Sequence, residues 1–193
     1  MKKLFTFFLL IILPVTIFAS PFGLKKGMTI EQIAEVCNGN ELEHIEGDMY
    51  SILPSKSHPL FKIYIAFVNE KAGLYGIKAL SDEISVNDYG TEIKTAFENI
   101  KDRIAKTYGI PKIIDEIDPT SVYKDENYWT YSLSKGARTL AAIWGVNEKK
   151  LPDDLSGIAI SAKAQIGPQI GAILLEYKFN NYDQIEDEQD SVF

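Results

Sequence analysis

Few residues of this chain have the types and spacing that enzymes and metal sites use. The chain has two histidines, His44 and His58, and one cysteine, Cys37. A zinc site needs at least three protein ligands, and the histidines show no ligand spacing such as His-x-x-x-His. The sequence has no Gly-x-Ser-x-Gly motif, which would mark a candidate nucleophilic serine, and no glycine-rich phosphate loop follows a predicted strand. The sequence therefore predicts no metal and no cofactor.

Paired carboxylates are the remaining route to acid–base chemistry, as in glycoside hydrolysis. The chain has 27 acidic residues, so the sequence does not single out two of them. Asp153 and Asp154, in "LPDDL", are typical of a polar turn. Catalytic residues can also be assembled from distant segments. The sequence thus favours a non-catalytic protein and leaves a small exported hydrolase with an unrecognised site as the alternative.

A group of aromatic residues forms the best candidate contact surface. Tyr and Trp combine an apolar body with a polar tip, which suits protein interfaces. The candidate partner contacts are Tyr123, Tyr128, Trp129, Tyr131 and Arg138. Two alternatives stay open. Aromatic residues also favour sheets on their own account, and Arg138 could pair across strands with an acid such as Glu176.

The N-terminus predicts export. Two lysines precede an apolar run that ends at Ala19, which is the layout of a secretory signal peptide. Pro14 interrupts this run and Ser20 and Pro21 follow it, whereas a membrane span needs about 20 apolar residues. We therefore expect a periplasmic or extracellular protein without stable membrane insertion after cleavage. An N-terminal membrane anchor is the alternative.

The charge balance limits the class of partner. The chain has 20 basic and 27 acidic residues and a net charge of −7 at pH 7. Such a surface repels phosphate backbones, so nucleic acid and anionic lipid are poor partners. Cys37 is the only cysteine and can form no intramolecular disulfide. Its spacing from Ile30 and Ile33 predicts that it lies on the buried face of a helix.

Local signals predict two helices that would position these residues. A Thr-x-x-Gln capping box at Thr29 begins the first helix, which we expect to end near Cys37. In the second, between Thr91 and Tyr108, apolar residues recur at helical spacing. Gly109 caps the second helix, and the proline that follows prevents its continuation.

Strand-like patterns fill much of the remaining chain. The predicted strands are 60–69, 74–81, 128–134 ("YWTYSLS"), 137–144, 156–165 and 169–179, with two short extended pieces in "ELEHIEGDMYSILPS". The stretch 113–121 ("IIDEIDPTS") is predicted to be an acidic connector. In 60–69, Ile63, Ile65 and Phe67 project to one face of the strand and Tyr64 to the other. One face should pack and the other should be at least partly wet.

This order predicts an α+β fold, in which an antiparallel sheet has two helices packed on one face. The repeated order also hints at two related helix-plus-strands halves, near 27–81 and 87–179. We predict a signal peptide at 1–19, a single α+β domain at 20–180 and an acidic flexible tail at 181–193.

Two short motifs resemble a known exported module. The stretch "KKGMTIEQI" (Lys25–Ile33) is similar to the Gly-Met-Thr-x-x-Gln-Val start of the outer-membrane assembly lipoprotein BamE. A related helix-plus-sheet design occurs twice in secreted β-lactamase inhibitor proteins. The Gly-x-Pro that usually ends the helix of this pattern stands in "YGIP" (Tyr108–Pro111), after the second helix. The lipobox cysteine is missing, so the resemblance does not extend to membrane tethering. It implies binding to another exported or envelope protein rather than catalysis.

Overall fold

A computed structural model describes residues 20–39, 42–146, 150–165, 169–182 and 185. Within these residues the chain forms nine strands and three α-helices. The strands are β1 (Glu43–Glu46), β2 (Met49–Ile52), β3 (Phe61–Asn69), β4 (Gly73–Ser81), β5 (Ile84–Ser85), β6 (Lys112–Ile117), β7 (Arg138–Trp144), β8 (Leu155–Ala164) and β9 (Ile170–Phe179). The helices are α1 (Ile30–Val36), α2 (Thr91–Tyr108) and α3 (Trp129–Ser134), with 3-10 turns at Pro21–Gly23 and Glu126–Tyr128.

All nine strands join one antiparallel sheet in the order β1-β2-β3-β4-β9-β8-β7-β6, and short β5 also pairs with β9. The chain before α2 therefore supplies one side of the sheet, and the chain after α2 supplies the other. The two sides meet where β4 pairs with β9, for example at Ala79 and Leu175.

The two faces of the sheet differ in burial. Along β9, Ile173, Leu175 and Tyr177 are buried, whereas Leu174 and Glu176 between them are partly exposed. This alternation is expected where one face packs and the other meets solvent. We call the face that carries Leu175 the covered face and the face that carries Leu174 the open face.

All three helices contribute to the core on the covered face. Their core residues are Ile33 of α1, Ile93, Phe97, Ile100, Ile104 and Tyr108 of α2, and Trp129 and Leu133 of α3. The residues of α2 recur every three or four positions, as the amphipathic pattern predicts. Gly109, with a φ of +83°, follows the last turn of α2 and agrees with the predicted cap.

The Gly-Met-Thr stretch joins α1 to the sheet. The Thr29 hydroxyl accepts a hydrogen bond from the Gln32 N–H at 3.4 Å, and the Gln32 side chain accepts from the Thr29 N–H at 3.0 Å. This pair confirms the predicted capping box. Just before it, the Gly27 N–H donates to the Leu74 carbonyl at 2.8 Å, and the Leu74 N–H donates to the Met28 carbonyl at 2.9 Å. The motif thus both starts a helix and docks its start on β4.

The predicted α+β class with two helices is wrong. The described chain is mainly a nine-stranded antiparallel sheet with three short helices. The predicted strand at 128–134 is largely α3, because Trp129 and Leu133, four residues apart, both turn into the core. The predicted acidic connector contains most of β6, which pairs with β7 from Lys112 to Ile117. The second predicted half therefore contains a helix, α3, that has no counterpart between α1 and β4.

The two termini lie largely outside the described residues. The predicted signal peptide at 1–19 is outside them, as is most of the predicted tail. At the start of that tail, the Asn181 side chain donates to the carbonyls of Ala72 and Leu74, both at 3.2 Å, and Ile185 is buried. Packing against the sheet therefore continues past residue 180. No helix within the described ranges combines the length and apolar character that a membrane crossing requires.

Candidate functional site

The structure brings three of the predicted contact residues together at the surface. The ring centroid of Tyr123 lies 4.6 Å from that of Tyr131 and 5.8 Å from that of Tyr128. Both contacts are edge-on, an arrangement that aromatic rings favour. Tyr128 and Tyr131 are exposed, and Tyr123 is partly buried between them. We call these three residues the tyrosine cluster.

Trp129 lies in the core rather than in this cluster. It is only 2% exposed. The Lys94 ammonium of α2 lies 4.5 Å from the centroid of its ring, and the Arg138 guanidinium of β7 lies 5.6 Å from it. The indole therefore connects α2, α3 and β7 inside the fold. Because the ring is buried, its exposure does not support the predicted contact with a partner.

Arg138 forms a cross-strand ion pair. Its guanidinium donates to the Asp115 carboxylate of β6 at 2.9 Å. The acid suggested by the sequence, Glu176, pairs with Lys78 at 3.1 Å on the open face. Arg138 therefore forms a structural cross-strand pair, which was one of the two alternatives, with Asp115 rather than Glu176 as the acid. A partner-contact role for Arg138 stays a prediction.

The two histidines lie in separate local turns. The His44 ring bonds the Gly47 carbonyl at 2.9 Å in the turn between β1 and β2. His58 Nδ1 accepts a hydrogen bond from the Leu60 N–H at 3.2 Å, so the neutral ring carries its proton on Nε2. Burial, assisted by the positive charge of Arg103, lowers the pKa of His58. No group of three His, Cys, Asp or Glu residues in the described part could hold a metal ion.

Cys37 follows the last residue of α1 and is 1% exposed. Burial raises the pKa of its thiol. A thiolate is the nucleophilic form, so this environment suppresses reactivity. The predicted buried position of Cys37 is confirmed.

The open face presents apolar side chains that the described helices do not cover. Partly exposed aliphatic and aromatic residues stand on both sides of its centre. They are Ile63, Ile65 and Phe67 on β3, Leu80 on β4, Leu174 on β9, Ile143 on β7 and Ile114 on β6. Small residues such as Ala159 and Ser161 line β8 between them. The three α-helices pack on the other face, and these side chains are exposed or partly exposed.

Two hollows lie on this face. One, of about 420 Å³, is bordered by Ile63, Leu80 and Ala172. The other, of about 280 Å³, is bordered by Phe67, Lys78, Glu176 and Tyr182, among others. In the second hollow the Lys178 ammonium lies 3.9 Å from the centroid of the Tyr182 ring, and the Lys78 ammonium lies 5.3 Å from that of Phe67. Hollows beside cations and aromatic rings can accept side chains of a partner.

Comparison with known protein families, curated proteins and solved structures finds no match for the chain.

Proposed function

We propose that the chain is an exported, non-catalytic protein that binds a partner protein on the open face of its sheet. One observation carries this proposal: apolar side chains stand partly exposed across β3, β4, β9, β7 and β6, where the described residues place no covering layer. Apolar side chains exposed together on one face are a feature of interaction sites.

The dimensions of the open face suit a protein partner. Eight strands lie side by side in the main path of the sheet. With strands about 4.8 Å apart, they span roughly 34 Å, and a ten-residue strand such as β9 extends about 33 Å. A specific interface needs about 800 Å² on each partner. The open face can therefore supply a whole interface.

Charge indicates the chemistry of the partner. The central strands β4, β9 and β8 place Lys78, Lys178 and Lys163 on the open face, against the single acid Glu176. This local excess of positive charge occurs in a chain with a net charge of −7. Complementary charge guides association and excludes wrong partners. The proposed partner surface has acidic residues opposite these three lysines and apolar residues opposite the aliphatic and aromatic side chains beside them.

The leader-like N-terminus supports a periplasmic or extracellular location, and the partner is then an exported or envelope protein. The similarity to BamE-like and β-lactamase-inhibitor-like modules supports protein binding in the same way. The tyrosine cluster is a second candidate surface, because its rings are exposed and lie together.

Site-specific photo-crosslinking in native cells tests the proposal. A photoreactive residue at Ile63 should give a discrete adduct with one partner protein, and one at Tyr131 should not. An adduct from Tyr131 alone would assign binding to the tyrosine cluster and overturn the open-face proposal. Absence of adducts at Ile63, Ile65 and Ile143 together would overturn it as well.

A matched pair of substitutions separates binding from folding. Ile63 on the open face is 50% exposed, and Ile113 on the covered-face side of edge strand β6 is 47% exposed. Ile63→Asp and Ile113→Asp therefore introduce the same charge at equally exposed strand positions. Ile63→Asp should abolish the adduct formed from Ile65, whereas Ile113→Asp should leave it unchanged.

A further inference from the structure

A cavity of about 320 Å³ lies on the covered side of the molecule, between the last turns of α2, the start of β3 and the 3-10 turn Pro21–Gly23. Its walls include the apolar side chains of Phe22, Ile100 and Ile104. Phe22 has a left-handed backbone with a φ of 55°, a conformation that is unfavourable for a residue with a side chain. Its ring packs edge-on against Tyr64, with centroids 5.0 Å apart. Packing thus holds this wall in place, and the volume suits a small organic ligand.

The polar side chains at the cavity combine into a positively charged mouth. Lys56, His58 and Arg103 line it, and the described residues that line it include no carboxylate. The acid in contact with a lining residue is Asp153, which accepts a hydrogen bond from the Tyr108 hydroxyl at 3.3 Å and does not itself line the cavity. Over the described ranges, neither Lys56 nor Arg103 forms an ion pair. Both side chains are exposed, so they can reach an anion at the mouth.

These groups also act on one another. The charge of Arg103 adds to the effect of burial in lowering the pKa of His58, so protonation of His58 is opposed at this mouth. An anion placed between the two side chains would remove that repulsion and gain charge-assisted hydrogen bonds from Arg103 and Lys56.

We propose that this cavity binds a small amphiphilic anion, with an aliphatic chain among Phe22, Ile100 and Ile104 and its negative head between Arg103, Lys56 and His58. The apolar walls remove the aliphatic chain from water, which favours binding. The cations select the charge of the head. The site lies on the covered side of the sheet and is independent of the open face.

Isothermal titration calorimetry of the purified protein with a matched series of probes tests this assignment. Octanoate, octyl phosphate, octanol and octylammonium share a chain and differ in the head. Octanoate should bind at least tenfold more tightly than octanol, and octylammonium should not bind. The comparison of octanoate with octyl phosphate distinguishes a carboxylate head from a phosphate head.

Variants around the cavity locate the site. Arg103→Gln should weaken octanoate binding at least fivefold, whereas Lys106→Gln, on the same helix but outside the cavity, should change it less than twofold. Thr107 is exposed at the mouth, so Thr107→Trp should block the cavity without disturbing the core and should abolish binding.

Three results would overturn the assignment. They are absence of binding by all four probes, equal affinity for octanoate and octylammonium, and octanoate binding that survives both Arg103→Gln and Thr107→Trp. Ile63→Asp should leave octanoate affinity unchanged. The crosslinking and calorimetry experiments can therefore refute the open-face proposal and the cavity proposal independently.

Discussion

Gly90 lies directly against the indole of Trp129. A Cβ added at Gly90 would stand 2.1 Å from Cε3 of that ring, closer than any real contact allows. Gly90 caps the start of α2, and Trp129 begins α3. Beside this contact, the Thr130 N–H donates to the Asp88 carbonyl at 3.0 Å and the Thr130 hydroxyl donates to the Asn87 carbonyl at 2.6 Å. The glycine therefore makes room for α3 to dock on the start of α2.

Gly90→Ala should destabilise the protein far more than Gly136→Ala. Both glycines have left-handed backbones, with φ of +66° and +70°, but nothing lies within 4 Å of a Cβ at Gly136. We expect a loss of about 1 kcal/mol for Gly136→Ala from backbone strain, and at least about 2 kcal/mol more for Gly90→Ala from overpacking. Urea denaturation measures both, and equal losses would show that the Trp129 contact is unimportant.

Tyr64→Phe should cost about 1–3 kcal/mol. The Tyr64 hydroxyl accepts from the His58 N–H at 2.9 Å and donates to the His58 carbonyl at 3.2 Å. Its removal leaves the His58 N–H without this acceptor, while the His58 carbonyl still accepts from the Phe61 N–H at 3.0 Å. Tyr50→Phe is the control, because Tyr50 is only partly buried and lies on the neighbouring strand β2. Chemical denaturation of both variants checks the difference, and a loss below about 0.5 kcal/mol for Tyr64→Phe would contradict it.

The pKa of His58 is lowered from 6.5 in the folded protein, mainly by burial and further by Arg103. The stability contributed by neutral His58 is therefore fully present above about pH 6.5 and is lost as the pH falls through the lower folded value. The charged and titratable groups around the ring are Arg103 of α2, Lys56 of the same loop and Tyr64 of β3. We expect the free energy of unfolding to fall between pH 7.5 and pH 5.

His58→Asn should reduce this pH dependence. An Asn side-chain oxygen can accept the Leu60 N–H bond that Nδ1 accepts now, and it does not titrate. Urea denaturation at pH 7.5 and pH 5 compares the variant with the parent chain, in which His44 is the same. An unchanged pH dependence in His58→Asn would place its origin elsewhere.

The thiol of Cys37 should be protected in the native protein. It is 1% exposed and burial raises its pKa, so both access and thiolate formation are disfavoured. Reaction with Ellman's reagent should be roughly a hundredfold or more slower in buffer than in denaturant. Lys106→Cys in a Cys37→Ala background gives the rate for an exposed thiol, and a native Cys37 that reacts as fast would exclude the buried position.

The elements set by local signals were predictable from the sequence. The capping box at Thr29 and the apolar spacing of α2 depend on neighbours within one or two helical turns, and both are confirmed. Trp129–Ser134 was mistaken for a strand because its aromatic residues favour sheets, although the core contact of Leu133 four residues after Trp129 follows helical spacing. Strand β6 was missed because its edge position allows charged residues that resemble a connector.

The sequence could not show which face of the sheet stays open, and the reason is different. The alternation in β3 separates Ile63, Ile65 and Phe67 from Tyr64, and it was read correctly. Which of the two sets is buried depends on the strands that β3 pairs with and on the helices that cover them. Tyr64 and Ala66 take the covered face, although the opposite set is at least as apolar. The tyrosine cluster, by contrast, was visible because its residues are close in sequence.

The pairing of β4 with β9 has a consequence for how the protein is made. The centre of the sheet consists of a strand near the first third of the chain and a strand that ends at Phe179 of 193 residues. Synthesis must pass that point before the two sides can join, and a fragment that stops earlier leaves β4 and β8 with unpaired edges. Such edges recruit other chains. Copies that terminate before β9 should therefore aggregate.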